Sequence, residues 1–161
     1  MKAQNVLRQF SKWVFIACGF WLIALGGYFM FLRPPLLPED LRYLGSSATQ
    51  VEMLLPHLAS WLQNVFTVMG GFMAGCGVLI VFVSLRAVPQ YVQGTGTALG
   101  ITGLFTVATM SGTNFALDSD FKWLLLVPTI VWLLGLVCHA ASTRAAHAII
   151  PVAQINDDST K

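Results

Sequence analysis

Charge is what this sequence has least of. Of its 161 residues only 10% are Asp, Glu, Lys or Arg, against roughly 25% in soluble domains, while 56% are hydrophobic. A chain so poor in charge has too little polar surface to face water all round, which excludes an ordinary soluble domain. The net charge of +2 is too small to point to nucleic acid as a partner. Cysteine is scarce as well: Cys18, Cys76 and Cys138 all fall within apolar runs and form no CxxC pair. Neither a disulfide framework nor a zinc site follows, and the thiols read as small packing residues. No GxSxG, HExxH, P-loop or dinucleotide fingerprint occurs, so no familiar catalytic or cofactor motif is on offer.

What is present is four long apolar runs. Val14 to Leu32, Trp61 to Leu85, Thr95 to Leu117 and Trp123 to Ser142 contain no Asp, Glu, Lys or Arg. About 20 such residues are needed for a helix to cross a hydrocarbon core roughly 30 Å thick. Lipid cannot satisfy backbone amides, so each run is expected to be a helix, and the lack of alternating polar residues excludes a barrel. The first run is too long for the apolar core of a cleaved signal and reads as a retained span. The expected fold is all-α: an integral membrane bundle of four antiparallel transmembrane helices in one domain over residues 1–150. The crossings fall at about 14–32, 58–85, 95–117 and 122–142. A short helical external loop caps the bundle at 33–57, and a polar tail at 151–161 is expected to be disordered.

Orientation follows from Lys and Arg. Lys2, Arg8, Lys12, Arg86, Arg144 and Lys161 lie on one side and Arg33, Arg42 and Lys122 on the other. Positive residues favour the cytoplasmic side, so both termini are expected there. The external loops then collect Glu39, Asp40, Glu52, Asp118 and Asp120. Burying the DSDFKW turn at mid-membrane would cost about 8–10 kcal/mol for its three charges, so it belongs at a surface. Trp13, Trp61, Trp123 and Tyr91 sit near the predicted boundaries, as in an aromatic belt.

The first external loop is stiff and charged: FLRPPLLPEDLRYLG, Phe31 to Gly45. Pro34 and Pro35 cannot continue the helix that delivers them, and Arg33 reaches the headgroup level. Pro38 suits the first position of a new helix, Glu39 and Asp40 its first turn, and Gly45 its end. Thr49 and Glu52 have capping-box spacing for a second short helix through Leu55. The charged cluster Arg33, Glu39, Asp40, Arg42, Asp118, Asp120 and Lys122 is expected to close the external end by ion pairing. A cation site or a metal-assisted enzyme using Asp118 or Asp120 is the sharper alternative, although Asp118-Ser119-Asp120 reads equally as a helix N-cap.

Within the spans, small residues mark close helix approach: Gly71 and Gly75 form one GxxxG, and Gly96 and Gly100 another. Thr95, Thr102, Thr106, Thr109 and Thr113 recur at intervals of 7, 4, 3 and 4, one stripe of the third helix, thickened by Ser111 and Asn114. Such threonines usually bond their own i−4 carbonyls. A cavity between Thr102, Thr106, Thr109, Thr113 and Asn114 and the Asn64 and Thr67 face of the second span is the alternative expectation. No ionisable residue sits mid-span, which counts against a proton- or ion-coupled carrier. His139 beside Cys138, with His147 eight residues on, is not a ligand set, and no metal or cofactor is expected.

The loops RPPLLPEDLRYLG and NFALDSDFKW, with four spans around them, resemble a group of small uncharacterised bacterial four-span inner-membrane proteins. Helix count and size resemble the DoxX-like proteins more loosely. The resemblance implies a multi-pass inner-membrane location and supplies no activity. The sequence therefore points to a non-catalytic structural or accessory subunit in the lipid bilayer, packing with itself or another membrane protein through Gly71, Gly75, Gly96 and Gly100. The alternative is a binder of a lipid, quinone or small solute lined by the threonines. If the topology is right, single cysteines placed at Glu39 and Asp118 react with an impermeant maleimide from the same face of intact cells. Labelling from opposite faces would refute it.

Overall fold

The computed structural model describes the backbone of residues 2–158 and the side chains of residues 4–144. Its elements are α1 (Lys2–Phe31), α2 (Pro38–Leu44), α3 (Ala48–Leu54), α4 (Leu58–Arg86), α5 (Thr95–Gly103), a π-helical turn (Leu104–Ala108), α6 (Thr109–Ala116) and α7 (Lys122–Asp158). Among the described residues there is no strand. Three helices are long and apolar enough to cross a membrane: α1 over Gln4–Phe31, α4 over Leu58–Arg86 and α7 over Lys122–Arg144.

The third apolar run is the exception. It is helical from Thr95 to Ala116, but the π turn at 104–108 divides it, so neither α5 nor α6 qualifies alone. The backbone amide and the hydroxyl of Thr109 both reach the Leu104 carbonyl, five residues back, instead of the usual four. Two side chains of α7 meet this wider turn. The Trp132 indole packs on Gly103, with Nε1 donating to the Leu99 carbonyl at 3.1 Å, and the Thr129 hydroxyl donates to the Val107 carbonyl at 2.9 Å. Hydropathy alone does not register such a change of period.

Layer order follows from glycine. α1 lies between α4 and α7, and the broken helix α5–α6 packs on the far side of α7. Along α1 and α4, which run antiparallel, backbones nearly touch: a methyl added at Gly26 would lie 2.6 Å from the Gly70 carbonyl oxygen, and one at Gly77 2.6 Å from that of Gly19. Only glycine permits this approach, and in lipid it is van der Waals contact of this kind, not hydrophobic collapse, that joins helices. On the other flank the Ser11 hydroxyl donates to the Gly135 carbonyl at 3.1 Å, and Phe15 meets Trp132 edge to face at 5.4 Å. Phe15, Cys18, Leu22, Ile80, Val88, Leu99, Val107 and Trp132 form one buried core where the helices converge.

Bounds differ from expectation at two ends. α1 begins at Lys2, well before the apolar run, and α7 continues past Pro151 to Asp158, through residues expected to be an unstructured tail. Residues 159–161 and the side chain of His147 lie outside the described residues.

The glycine contacts carry a test. Gly26→Val or Gly70→Val should destabilise the folded protein by about 1–3 kcal/mol, because a rigid backbone oxygen occupies the new side chain's place. Gly27→Ala, with nothing within 4 Å of the added methyl, should be neutral or stabilising by up to about 1 kcal/mol. Unfolding in mixed detergent micelles measures both.

Candidate functional site

The charged cluster assembles at one end of the molecule. α2 forms as its residues dictate: Pro38 opens it, the Asp40 carboxylate accepts from the Leu37 amide at 2.9 Å, and Gly45 closes it at φ +63°. Closure has the two-bond pattern in which Ser46 N–H reaches the Leu41 carbonyl and Gly45 N–H that of Arg42. For α3 the cap lies two residues earlier than the Thr49–Glu52 spacing suggested. Ser47 and Gln50 form the reciprocal box, at 3.2 and 2.9 Å, because α2 ends at Gly45 and leaves Ser47 extended and free to cap. At the loop between α6 and α7 Asp118 adopts φ +50° and ends α6 with the same closing pattern, while the Ser119 hydroxyl accepts from the Phe121 amide at the entry to α7.

Each cation of the cluster then has an acid. Arg33 reaches Asp40 at 3.3 Å while its guanidinium lies over the rings of Phe66, at 3.8 Å, and Phe29, at 5.3 Å. With 11% of its side chain exposed, this arginine is a planar wedge between α1, α2 and α4. Stacking of a largely desolvated guanidinium contributes on the order of 2 kcal/mol, so it outweighs the exposed pairs. Arg42 crosses to Asp120 at 3.1 Å, an exposed pair worth about 1 kcal/mol at most, and Lys122 pairs with Asp118 one turn before it. Glu39 is buried, and its Oε1 accepts from the Ser119 hydroxyl at 3.4 Å. The acids are tied by basic or hydroxyl groups, and among the described residues no group of three or more His, Cys, Asp or Glu is placed to hold a metal. Chemically, the cluster is a clasp joining the loop between α1 and α4 to the loop between α6 and α7.

The threonine stripe is differently disposed. Thr106 donates to the Thr102 carbonyl at 2.7 Å, Thr109 to that of Leu104 at 2.8 Å, and the Asn114 amide to that of Met110 at 2.9 Å. Thr67 likewise bonds the Gln63 carbonyl at 2.9 Å. These groups satisfy themselves within their own helix. α4 packs on α1 and the broken helix on α7, so Asn64 and Thr67 do not face Thr102, Thr106, Thr109, Thr113 and Asn114 across a cavity. Asn64, Thr67, Thr109 and Thr113 are instead exposed.

Of the polar side chains that do join helices, Ser111 belongs to the stripe read from spacing, whereas its partner Thr129 on α7 was not singled out. Ser111 donates to the Leu125 carbonyl and shares a hydrogen bond with Thr129, at 2.7 and 2.8 Å. Pro128 in α7 lacks the amide that a helix interior expects, and these hydroxyls lie beside it; proline in an apolar helical run is the one sequence signal that marks the place. Toward the opposite end His139 is buried against Gly96, with Nδ1 unpartnered among the described residues. Arg8 stacks over Tyr91 at 5.2 Å and donates to the Pro89 carbonyl. Of the four glycines expected to present outward, Gly96 thus meets α7, whereas Gly71, Gly75 and Gly100 have nothing within 4 Å.

Comparison with known proteins gives no relative: no family model, curated protein or solved structure matches this chain.

The local Asp118–Lys122 pair before α7 is pH-sensitive in a defined direction. The hydrogen bond and charge of Lys122 hold the Asp118 carboxyl below its ordinary 3.8. A depressed acid contributes its stabilisation above the unfolded value and loses it as pH falls through the folded one, so the Asp118–Lys122 link should be intact at neutral pH and be lost only as pH falls below the ordinary 3.8 through the lowered folded value. Lys122→Met should return the Asp118 titration, followed by carboxyl NMR, toward 3.8.

Proposed function

We propose that this chain is a four-span protein of the bacterial inner membrane, with both termini cytoplasmic, that serves as a non-catalytic structural or accessory component. It packs against itself or another membrane protein. Four crossings are supported by the third helical run: Thr95 to Ala116, at 1.5 Å per residue, gives about 33 Å, enough for a hydrocarbon core. Its successive contacts with α7, Leu99 to Trp132, Val107 to Thr129 and Ser111 to Leu125, run antiparallel along that helix. Orientation is supported by the six-to-three division of Lys and Arg. Both charged loops lie at one end of the molecule, as joined by Arg42 to Asp120, in keeping with a shared external face.

The observation that carries the role is the division of polar and small groups in the crossings. The hydroxyls of Ser11, Thr67, Thr106 and Thr109 are engaged on backbone carbonyls of the same or a neighbouring helix, and Gly71 and Gly75 on α4 have nothing against them. Such a surface suits another helix better than a soluble ligand. The alternative reading, a lipid, quinone or small-solute site at the threonines, gains no support, since its two proposed walls are on helices that do not pack together.

Crosslinking in native membranes followed by mass analysis tests this. A defined oligomer or one recurrent membrane partner is the expected result. A strictly monomeric particle with no recurrent partner would overturn it.

A further inference from the structure

The clasp leaves none of its cations without an acid, and the opposite end of the molecule differs. Among the described side chains all the acids, Glu39, Asp40, Glu52, Asp118 and Asp120, belong to the two loops at the clasp end. Arg8, Lys12, Arg86 and Arg144 lie at the other end, and among the described residues none of them meets a carboxylate. Arg8 and Lys12 stand one turn apart on α1, over the rings of Tyr91 and Trp13 at 5.2 and 4.9 Å. Like charges four residues apart repel, so the pair favours an anion between them.

Depth decides what can supply that anion. At the clasp end the Arg33 guanidinium lies on Phe66 of α4 and marks one edge of the crossing. Arg86 follows Phe66 by twenty residues, about 30 Å along the helix, which is the thickness of a hydrocarbon core. On α1, Lys12 precedes Phe31 by nineteen residues, about 29 Å. The glycine register agrees: Gly19 lies against Gly77 and Val81, so Lys12, seven residues before it, comes level with residues 84–88 of the antiparallel partner. Lys12 and Arg86 therefore stand at the second edge of the hydrocarbon, where the exposed rings of Phe10 and Trp13 also lie.

We infer that this end of α1 binds the phosphate of an anionic phospholipid, between the Lys12 ammonium and the Arg8 guanidinium. The inference is independent of the accessory reading above. Arg8 donates to the Pro89 carbonyl and to the Asn5 side chain, at 3.2 Å each, which leaves others of its five N–H groups over. The Lys12 ammonium makes no hydrogen bond among the described residues, so its three donors remain for a ligand. An anionic headgroup complements an end that carries cations without acids, whereas the amine of a zwitterionic headgroup meets the same cations with like charge. A soluble anion matches the charge but not the depth, since Phe10 and Trp13 are exposed at the level of the site.

The test uses the full chain in phosphatidylethanolamine–phosphatidylglycerol vesicles, in which one lipid or the other carries brominated chains at the same mole fraction. The emission of Trp13, taken as the difference between each protein and its Trp13→Phe counterpart, should be quenched preferentially by brominated phosphatidylglycerol. Lys12→Gln should lower the ratio of the two lipids' binding constants about fivefold, the worth of one cation near an anionic surface, and Lys12→Arg should keep it. Arg42→Gln, at the clasp, should leave the ratio unchanged. Equal quenching by the two lipids in the wild type, or a preference that survives Lys12→Gln, would overturn the site. Inorganic phosphate that abolishes the preference, at an ionic strength matched with chloride, would replace the lipid by a soluble anion. Quenching of Trp13 by neither lipid would mean that protein covers this face, and the lipid site would fall.

Discussion

The close approach of α1 and α4 is the contact on which the rest of the structure depends. In lipid there is little gain from burying one apolar side chain against another, because the solvent is equally apolar. Stability must come from density of contact, and density is greatest where backbones meet. Gly19 and Gly26 on α1, set against Gly77 and Gly70 on α4, bring carbonyl oxygens to within reach of the facing Cα atoms. That contact places α1 at the centre and leaves its other flank for α7.

The second half of the molecule is joined by different means. Between α7 and the broken helix, the contacts are hydrogen bonds from side chains to carbonyls: Trp132 to Leu99, Thr129 to Val107 and Ser111 to Leu125. A proline in α7 and a π turn in its neighbour each disturb the regular backbone pattern, and the hydroxyls lie at those disturbances. The lid adds a third kind of link, in which charge is held at the membrane surface by stacking and ion pairing instead of being buried. Arg33, flat against Phe66 and bonded to Asp40, ties the first loop to both α1 and α4, while Arg42 and Glu39 tie it to the hairpin before α7.

How much of this was legible in the sequence varies with the range of the interaction. α2 was readable to the residue, since a proline at its start, acids in its first turn and a glycine at its end act within one or two turns of chain. α3 was readable as a helix but not in its cap, because Ser47–Gln50 and Thr49–Glu52 offer the same spacing and the end of α2 decides between them. The third run was readable as apolar and helical, but not as divided, since the π turn meets side chains more than twenty residues away. The threonine stripe was placed on one face by its period, yet period cannot say whether that face meets a helix or lipid.

What the sequence by itself determined is the medium: four uncharged runs with polar punctuation admit helices in a bilayer, because unsatisfied backbone in hydrocarbon is too costly for anything else. Only the tertiary structure decided the neighbours. Gly70 and Gly71 are adjacent in the chain and identical in chemistry, but one is pressed against α1 and the other is open. Helical geometry turns successive residues to different sides, and which side acquires a partner is settled by packing among distant segments, not by any local property of the residue.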